Sequence, residues 1–365
     1  SNSELKWERT GQFDIGVDLG FFRDRVQLTV DWYQKITRDL LLLADLPYTM
    51  GFESAYENVG KMRNRGLEIS LKTVNVKTRN FRWESDFNIS FNRNKILSLT
   101  GNQRNLYSFV PLNTNFNNSP LYVAQVGQPT GMFFGYVFDG IYQEEDFDQP
   151  SPGKYILKDN VPTNGNERSV IQPGDIKYRD LNGDGVVNTY DQTIIGRGQP
   201  LHTGGFNNTF TYKGFSLGIF LSWSYGNDVY NANRLFLEGN ALVATDINQY
   251  KSYENRWTPE NRSNKYFRTG GQGPAGYHSS RVLEDGSYLR LQNLTFGYNF
   301  PRKWLKRIYL SSLNLSFTAR NLVTFTGYSG MDPSVSTRSS ILTPSFDYSA
   351  YPSAKSFMFS LKTTF

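Results

Sequence analysis

The closing stretch 351-YPSAKSFMFSLKTTF-365 decides how the rest of the chain is read. Taken two residues at a time, Phe357, Phe359, Leu361 and Phe365 fall on one side, with Thr363 between the last two. Ser356, Met358, Ser360, Lys362 and Thr364 fall on the other. A period of two with one apolar side marks a β-strand that has one apolar and one polar face. Two settings suit such a strand: a sheet of a soluble β-sandwich, or the wall of a membrane β-barrel. The choice rests on the residues before it.

Composition narrows the classes. The chain has 365 residues, a net charge of +6, 27 Phe and 23 Tyr, abundant Gly and a mean hydropathy of −0.52. No stretch approaches the roughly 20 apolar residues of a membrane helix. A barrel strand is apolar only at every second residue, so a polar average is compatible with a barrel. Aromatics and Gly in excess favour β over α. Cysteine is absent, which excludes a disulfide scaffold, thiol catalysis and thiolate metal sites. Two distant histidines, His202 and His278, supply a triad or a two-histidine metal site poorly. Basic residues are dispersed, with no stripe of the kind nucleic acid requires, so no nucleic-acid partner is expected. The opening SNSELKWERT has no charged n-region and no apolar h-region of a secretory signal.

Further strands follow from the same period. Phe13, Ile15, Val17, Leu19 and Phe21 alternate with Asp and Gly, and Val26, Leu28, Val30 and Trp32 follow after Phe22-Arg23-Asp24-Arg25. Leu67, Ile69 and Leu71 form the next apolar side, then Phe81, Trp83, Phe87, Ile89 and Phe91. Charges at every second residue, such as Arg82, Glu84 and Asp86, suit a water-filled lumen and not a soluble core. Phe206, Phe210 and Tyr212 lead through Lys213-Gly214, a tight hairpin signal, to Phe215, Leu217, Ile219, Leu221, Trp223 and Tyr225. Leu217, Ile219, Leu221 and Trp223 are expected to face lipid, and Ser216, Gly218, Ser222 and Ser224 the lumen. Leu294, Phe296, Tyr298 and Phe300 alternate out of phase with Leu289 and Leu291, so a β-bulge or strand end is expected near Gln292. Leu313, Leu315, Phe317 and Ala319 precede the final strand.

About nine strands result. The connections near Arg23, Thr78, Lys213 and Arg302 are short, and those near Thr49, Pro150, Asn255 and Ser340 are long. Their strict alternation is the layout of an outer-membrane barrel. The expected fold class is therefore all-β, a carboxy-terminal segment of a large antiparallel transmembrane barrel over residues 1–365. Within it, 94–202 is a long extracellular loop region.

Several ordered stretches resemble the SusC-type (SusC/RagA-like) TonB-dependent outer-membrane transporters. They are LKWE at Leu5, NRGLE at Asn64, GDIKYRDLNGDG at Gly174, YKGFSLGIFLSWSYGND at Tyr212, RWTPEN at Arg256, YLRLQNLTFGYNFP at Tyr288 and RNLVTFTGYSGMDP at Arg320. A terminal Phe after evenly spaced aromatics also resembles the signal read by the barrel-assembly machinery. The resemblance implies a barrel of about 22 strands with an amino-terminal plug; no plug, TonB-interacting segment or early strands are read in these residues, so a carboxy-terminal fragment or the second chain of a split protein is expected. It further implies TonB-driven import of oligosaccharides, or in some members peptides, with a SusD-type surface lipoprotein as lid. The implied setting is the outer membrane of a Gram-negative bacterium, long loops outward, among lipid and lipopolysaccharide.

One constellation carries site chemistry. Asp180, Asn182, Asp184 and Asp191 occupy positions 1, 3, 5 and 12 of a loop, Gly185 position 6, and Val186 offers its carbonyl at position 7. This is the spacing of a calcium loop, with Asp in place of Glu at position 12 in the dockerin-like manner. The expected cofactor is a structural Ca²⁺; the alternative is a solvated turn. Loop aromatics Tyr107, Phe133, Phe134 and Trp257 either stack on sugar rings or pack the loops. A function of another class, a secreted glycan-binding β-protein with a dockerin-like loop, lacks the dockerin-like helices. An enzyme is not expected, because no carboxylate pair is singled out.

Overall fold

Long runs of β-branched and aromatic residues at every second position leave little choice but extended pairing. In the computed structural model, nine strands form one sheet: β1 (Arg9–Phe21), β2 (Val26–Arg38), β3 (Gly60–Lys77), β4 (Phe81–Leu99), β5 (His202–Tyr212), β6 (Phe215–Tyr225), β7 (Tyr288–Asn299), β8 (Ser312–Thr326) and β9 (Ser356–Thr364). The structure describes residues 5–45, 54–58, 60–100, 103–110, 112, 116, 119–239 and 247–365. The strands stand in chain order, each antiparallel to the next, as an up-and-down wall of a partial barrel. Edge strands β1 and β9 are exposed along their whole length, whereas the strands between them are mostly half-buried.

Register turns the alternation of each strand into two continuous faces. Leu19, Leu28, Leu71, Phe87, Phe206, Leu221, Leu291 and Val323 stand side by side across β1 to β8. One residue along, the opposite face reads Asp18, Thr29, Ser70, Asn88, Gly205, Ser222, Arg290 and Thr324. A slip by one residue in any pair would exchange these faces, so the apolar row fixes the register. Near the short turns, Phe81, Tyr212, Phe215 and Tyr298 form an aromatic row, with the rings of Phe215 and Tyr298 4.4 Å apart. Leu217, Ile219, Leu221 and Trp223 lie on the apolar face and Ser216, Gly218, Ser222 and Ser224 opposite, as expected.

The bulge is where the sequence places it. Phe220 pairs with Asn293 and Leu221 with Leu291, so Gln292 is skipped and Leu289 and Leu291 rejoin the face of Leu294. Three features differ from the sequence expectation. First, β2 and β4 run on to Arg38 and Leu99, and Leu41–Asp45 pairs with Ser54–Asn58 within the long connection expected near Thr49. The expected boundary of the long loop at 94 therefore moves past Leu99, and the turn near Thr49 lies outside the described residues. Past the apolar band, Met62, Ile96 and Leu99 border Leu106 and Ala124 of the first long connection, so the strict period fades while backbone pairing continues. Second, the connection at Pro301 is more than a turn: it holds a helical turn, Arg302–Leu305, and a 3₁₀ turn, Lys306–Ile308. Third, the apolar face is interrupted at its middle by Thr73, Ser85 and Asn208 in one row. Their polar atoms are satisfied nearby: Asn208 Oδ1 accepts from Trp83 Nε1 at 2.9 Å and Ser85 Oγ at 2.7 Å, and Thr73 Oγ1 donates to Asn75 Oδ1 at 2.8 Å.

The long connections interlock at one end of the sheet. Residues 105–109, 120–125, 132–135 and 193–197 make a four-stranded sheet, and Asp228–Asn231 gathers Leu283–Asp285 and Phe346–Asp347 into a three-stranded one. Three separate connections thus share structure, and the buried core of the molecule lies among them, not in the wall.

Candidate functional site: the polar wall and the connections above it

The polar face is concave. It lines one open hollow of about 640 Å³, bordered by Asp14, Asp31, Tyr33, Lys35 and Glu68, and another of about 390 Å³ bordered by Lys72, Arg82, Glu84 and Asp86. Both signs of charge line it. Hydroxyls and amides hold its side chains in place: Thr29 Oγ1 donates to Asp18 Oδ1 at 2.6 Å, and Tyr33 Oη to Asn92 Oδ1 at 3.3 Å. Gly66, in the NRGLE stretch, leaves the space in which the Tyr33 ring lies, since a Cβ there would sit 2.2 Å from that ring. Phe220 shares this face with Asn207 and Asn293, and its ring fills the space beside Gly205. Sequence reading missed Phe220, because one aromatic in a Ser/Gly phase looks like noise; its signal was that it interrupts that phase.

The connections close over this face. Asn94 Oδ1 accepts from the Thr130 amide at 2.7 Å, tying β4 to the first long connection. Arg290 of β7 reaches Asp332 of the last one at 2.6 Å, with both side chains about nine-tenths buried or more. Burial raises the Asp332 carboxyl, but hydrogen bonds from Ser334 and Ser353 and the Arg290 guanidinium outweigh it and hold the group below the usual carboxylate range. A second buried network joins two connections: Glu238 accepts from Arg234 at 2.9 Å and Arg281 at 2.7 Å, and Arg234 also pairs with Glu284 at 3.1 Å. Glu284 accepts in turn from the backbone and hydroxyl of Ser329, both at 2.8 Å.

Aromatics cement this assembly. Phe133 is fully buried between Tyr122 and Tyr230, Trp257 is buried with its Nε1 on Gln143 Oε1 at 3.0 Å, and Tyr136 stacks on Tyr277 at 4.1 Å. Phe133 and Trp257 therefore pack the loops. Tyr107 is exposed and its ring meets Phe134 at 5.1 Å. His278 is buried with Nδ1 2.9 Å from Tyr230 Oη, and burial pushes its imidazole down to about 3. The folded chain thus keeps His278 neutral where the unfolded chain, with an ordinary pKa of about 6.5, binds a proton. Stability of the assembly should fall as pH drops below about 6.5. A His278→Asn variant, followed by thermal unfolding between pH 7 and 5, should show a smaller loss than the parent over that range; equal losses would remove His278 from the account.

Of the calcium-type residues, Asn182, Asp184 and Val186 are exposed on the first long connection, Asp180 is half-buried and Asp191 is buried. Gly183 and Gly185 adopt φ of 77° and 81°, the turns their positions demand. Asp180 accepts from the amides of Gly183 and Gly185, both at 2.7 Å, and Asp184 Oδ1 from that of Val186 at 2.8 Å. Buried Asp191 accepts from the amides of Leu181 and Asn188, both at 2.8 Å. Asn182 Oδ1 accepts from Asp184 N at 2.9 Å, and the Val186 carbonyl accepts from Asn188 Nδ2 at 3.2 Å. These bonds shape the turn by themselves. Among the described residues no group of three or more His, Asp or Glu is arranged to hold a metal.

The family described as "TonB dependent receptor-like, beta-barrel" matches residues 1–322. A TonB-dependent receptor, P3, of Formosa agariphila is 33% identical over all of this chain and 35% of its own length. The TonB-dependent receptor SusC of Bacteroides thetaiotaomicron is 27% identical over all of this chain and 32% of its own. Among solved structures, one of the RagAB peptide transporter is similar at a TM-score of 0.77 and 27% identity, over all of this chain and 36% of the other. The chain spans about a third of the length of the curated relatives it matches.

Proposed function

The chain belongs to the TonB-dependent receptor-like β-barrel family, and from that premise we propose that it is the closing part of an outer-membrane importer of the SusC/RagA type. The observation that carries the proposal is the two-faced wall: a face of apolar rows, crossed by one short polar row, on one side and a hydrated, charged concavity on the other. In hydrocarbon such a wall requires every backbone group to be paired, so the exposed edges of β1 and β9 are where further strands close the barrel. The apolar face meets lipid, the concave face meets the plug and the passing substrate, and the long connections lie outside the cell. A SusD-type lipoprotein covers the long connections, and TonB supplies energy through the plug.

Oligosaccharides are the proposed cargo, as the motifs imply. A second reading, peptides, is favoured by the likeness to the RagAB peptide transporter. Cells carrying the full-length importer should take up labelled oligosaccharides, and lose that uptake when TonB is removed. TonB-dependent uptake of labelled oligopeptides alone would transfer the assignment to the second reading, and TonB-independent uptake of either would contradict both.

We also propose that Asp180, Asn182, Asp184, Val186 and Asp191 take one Ca²⁺ that braces the first long connection. Supporting this are the oxygen-rich donor set and the left-handed Gly185 at the sharp turn. Titrating the full-length protein with Ca²⁺ should give a dissociation constant of about 10⁻⁴–10⁻³ M, the range of extracellular modules. Asp184→Ala should weaken it, and absence of any heat of binding in the parent would leave the hydrogen-bonded turn as the whole explanation.

A further inference from the structure

The connection 300–311 between β7 and β8 differs from the other short turns. Arg302, Lys303, Lys306 and Arg307 are all exposed there, and the ion pairs of the described residues lie elsewhere. At helical spacing these four cations share one side, whereas Trp304, Leu305 and Ile308 share the other. Leu305, 3% exposed, pins the segment to the protein, but Trp304 and Ile308 stay 54% and 58% exposed and the adjoining Tyr309 90%. Large apolar side chains left in the open beside unpaired cations mark a segment that lies in a membrane interface. Its level fits: Tyr298 and Phe300, with ring centroids 4.8 Å apart, lead from the aromatic row directly into it. The neighbouring short turns add Arg23, Arg25, Arg79 and Lys213 against the single carboxylate Asp24. The long connections, in contrast, mix both signs, as where Arg262 meets Glu144 and Glu145.

We propose that this connection is a binding site for anionic glycerophospholipid headgroups in the periplasmic leaflet, with Arg302, Lys303, Lys306 and Arg307 holding the phosphates and Trp304 and Ile308 inserted among the acyl chains. The proposal rests on the barrel reading, which places the short turns on the periplasmic side. Charge complementarity selects the occupant: clustered cations at an interface attract acidic lipids, each cation adding to the binding.

The test uses the full-length transporter in nanodiscs of phosphatidylethanolamine with phosphatidylglycerol, gently delipidated and weighed by native mass spectrometry. Replacing all four cations with Gln should lower retained phosphatidylglycerol about tenfold. A Lys154→Gln, Lys251→Gln variant in the long connections should keep the parental level. Should the quadruple variant fail to insert, the Trp304→Ser, Ile308→Ser pair decides, with the same expected loss. Undiminished retention in an inserted variant, or equal retention of phosphatidylethanolamine, overturns this proposal alone. So does loss of a co-purifying periplasmic protein with lipid retention unchanged. A parent that inserts into no bilayer overturns the barrel reading and this site with it.

Discussion

Replacing Glu238 with alanine is expected to cost about 3–5 kcal/mol of stability in the assembly of long connections, because it strands buried cations. Glu238 is the shared acceptor of Arg234 and Arg281, and the Arg281 side chain is only 5% exposed. Burial already holds the Arg281 guanidinium below its ordinary pKa, and Glu238 offsets only part of that. Without Glu238, Arg281 keeps its cation–π contact with Phe267 at 4.6 Å but loses its counter-charge. Hydrogen exchange should quicken at Asp228–Asn231 and Leu283–Asp285 and leave β5 and β6 protected. A second change, Arg281→Met, should restore much of the loss, since a buried pair replaced as a whole by apolar groups is often neutral. A loss below about 1 kcal/mol would mean the network behaves as a surface ion pair.

Ile219→Arg is expected to cost about 2–4 kcal/mol, the penalty for a charge at the lipid-facing midplane of a barrel. Ile219 lies in the middle of β6, between Asn208 and Leu294 on the apolar face. Ser216→Arg, one face over and three residues away, meets the hydrated side and should cost far less. Comparing folded, heat-modifiable barrel for the two variants checks this. Equal yields would mean that the two faces of β6 meet the same medium.

The wall was legible because its physics is local. Leu217 to Trp223 alternate because a strand alternates, and the Leu289/Leu291 phase change announces the bulge at Gln292 without any knowledge of partners. The interruption at Thr73, Ser85 and Asn208 was not legible: those residues look like ordinary polar positions until register brings them together on the apolar face. The assembly above the wall was hidden for the same reason. Glu238 and Arg281 are 43 positions apart, and Tyr122 donates to Pro344 O across 222. No periodicity links such residues. The calcium-type spacing was plain in the sequence, but the hydrogen bonds that Asp180 and Asp191 accept from backbone amides were not, because spacing fixes which oxygens are near and not what they face.

The two-sided wall is the central claim, and site-directed spin labelling tests it most directly. This chain contains no cysteine, so once any cysteine in the rest of the full-length protein is replaced, single cysteines can be introduced one by one from Ser216 to Trp223 in the protein within a bilayer. Labels at 217, 219, 221 and 223 should be more accessible to oxygen, which concentrates in lipid, than to a water-soluble nickel chelate. Those at 216, 218 and 222 should show the reverse. A flat profile, or an alternation with the opposite phase, would contradict the account.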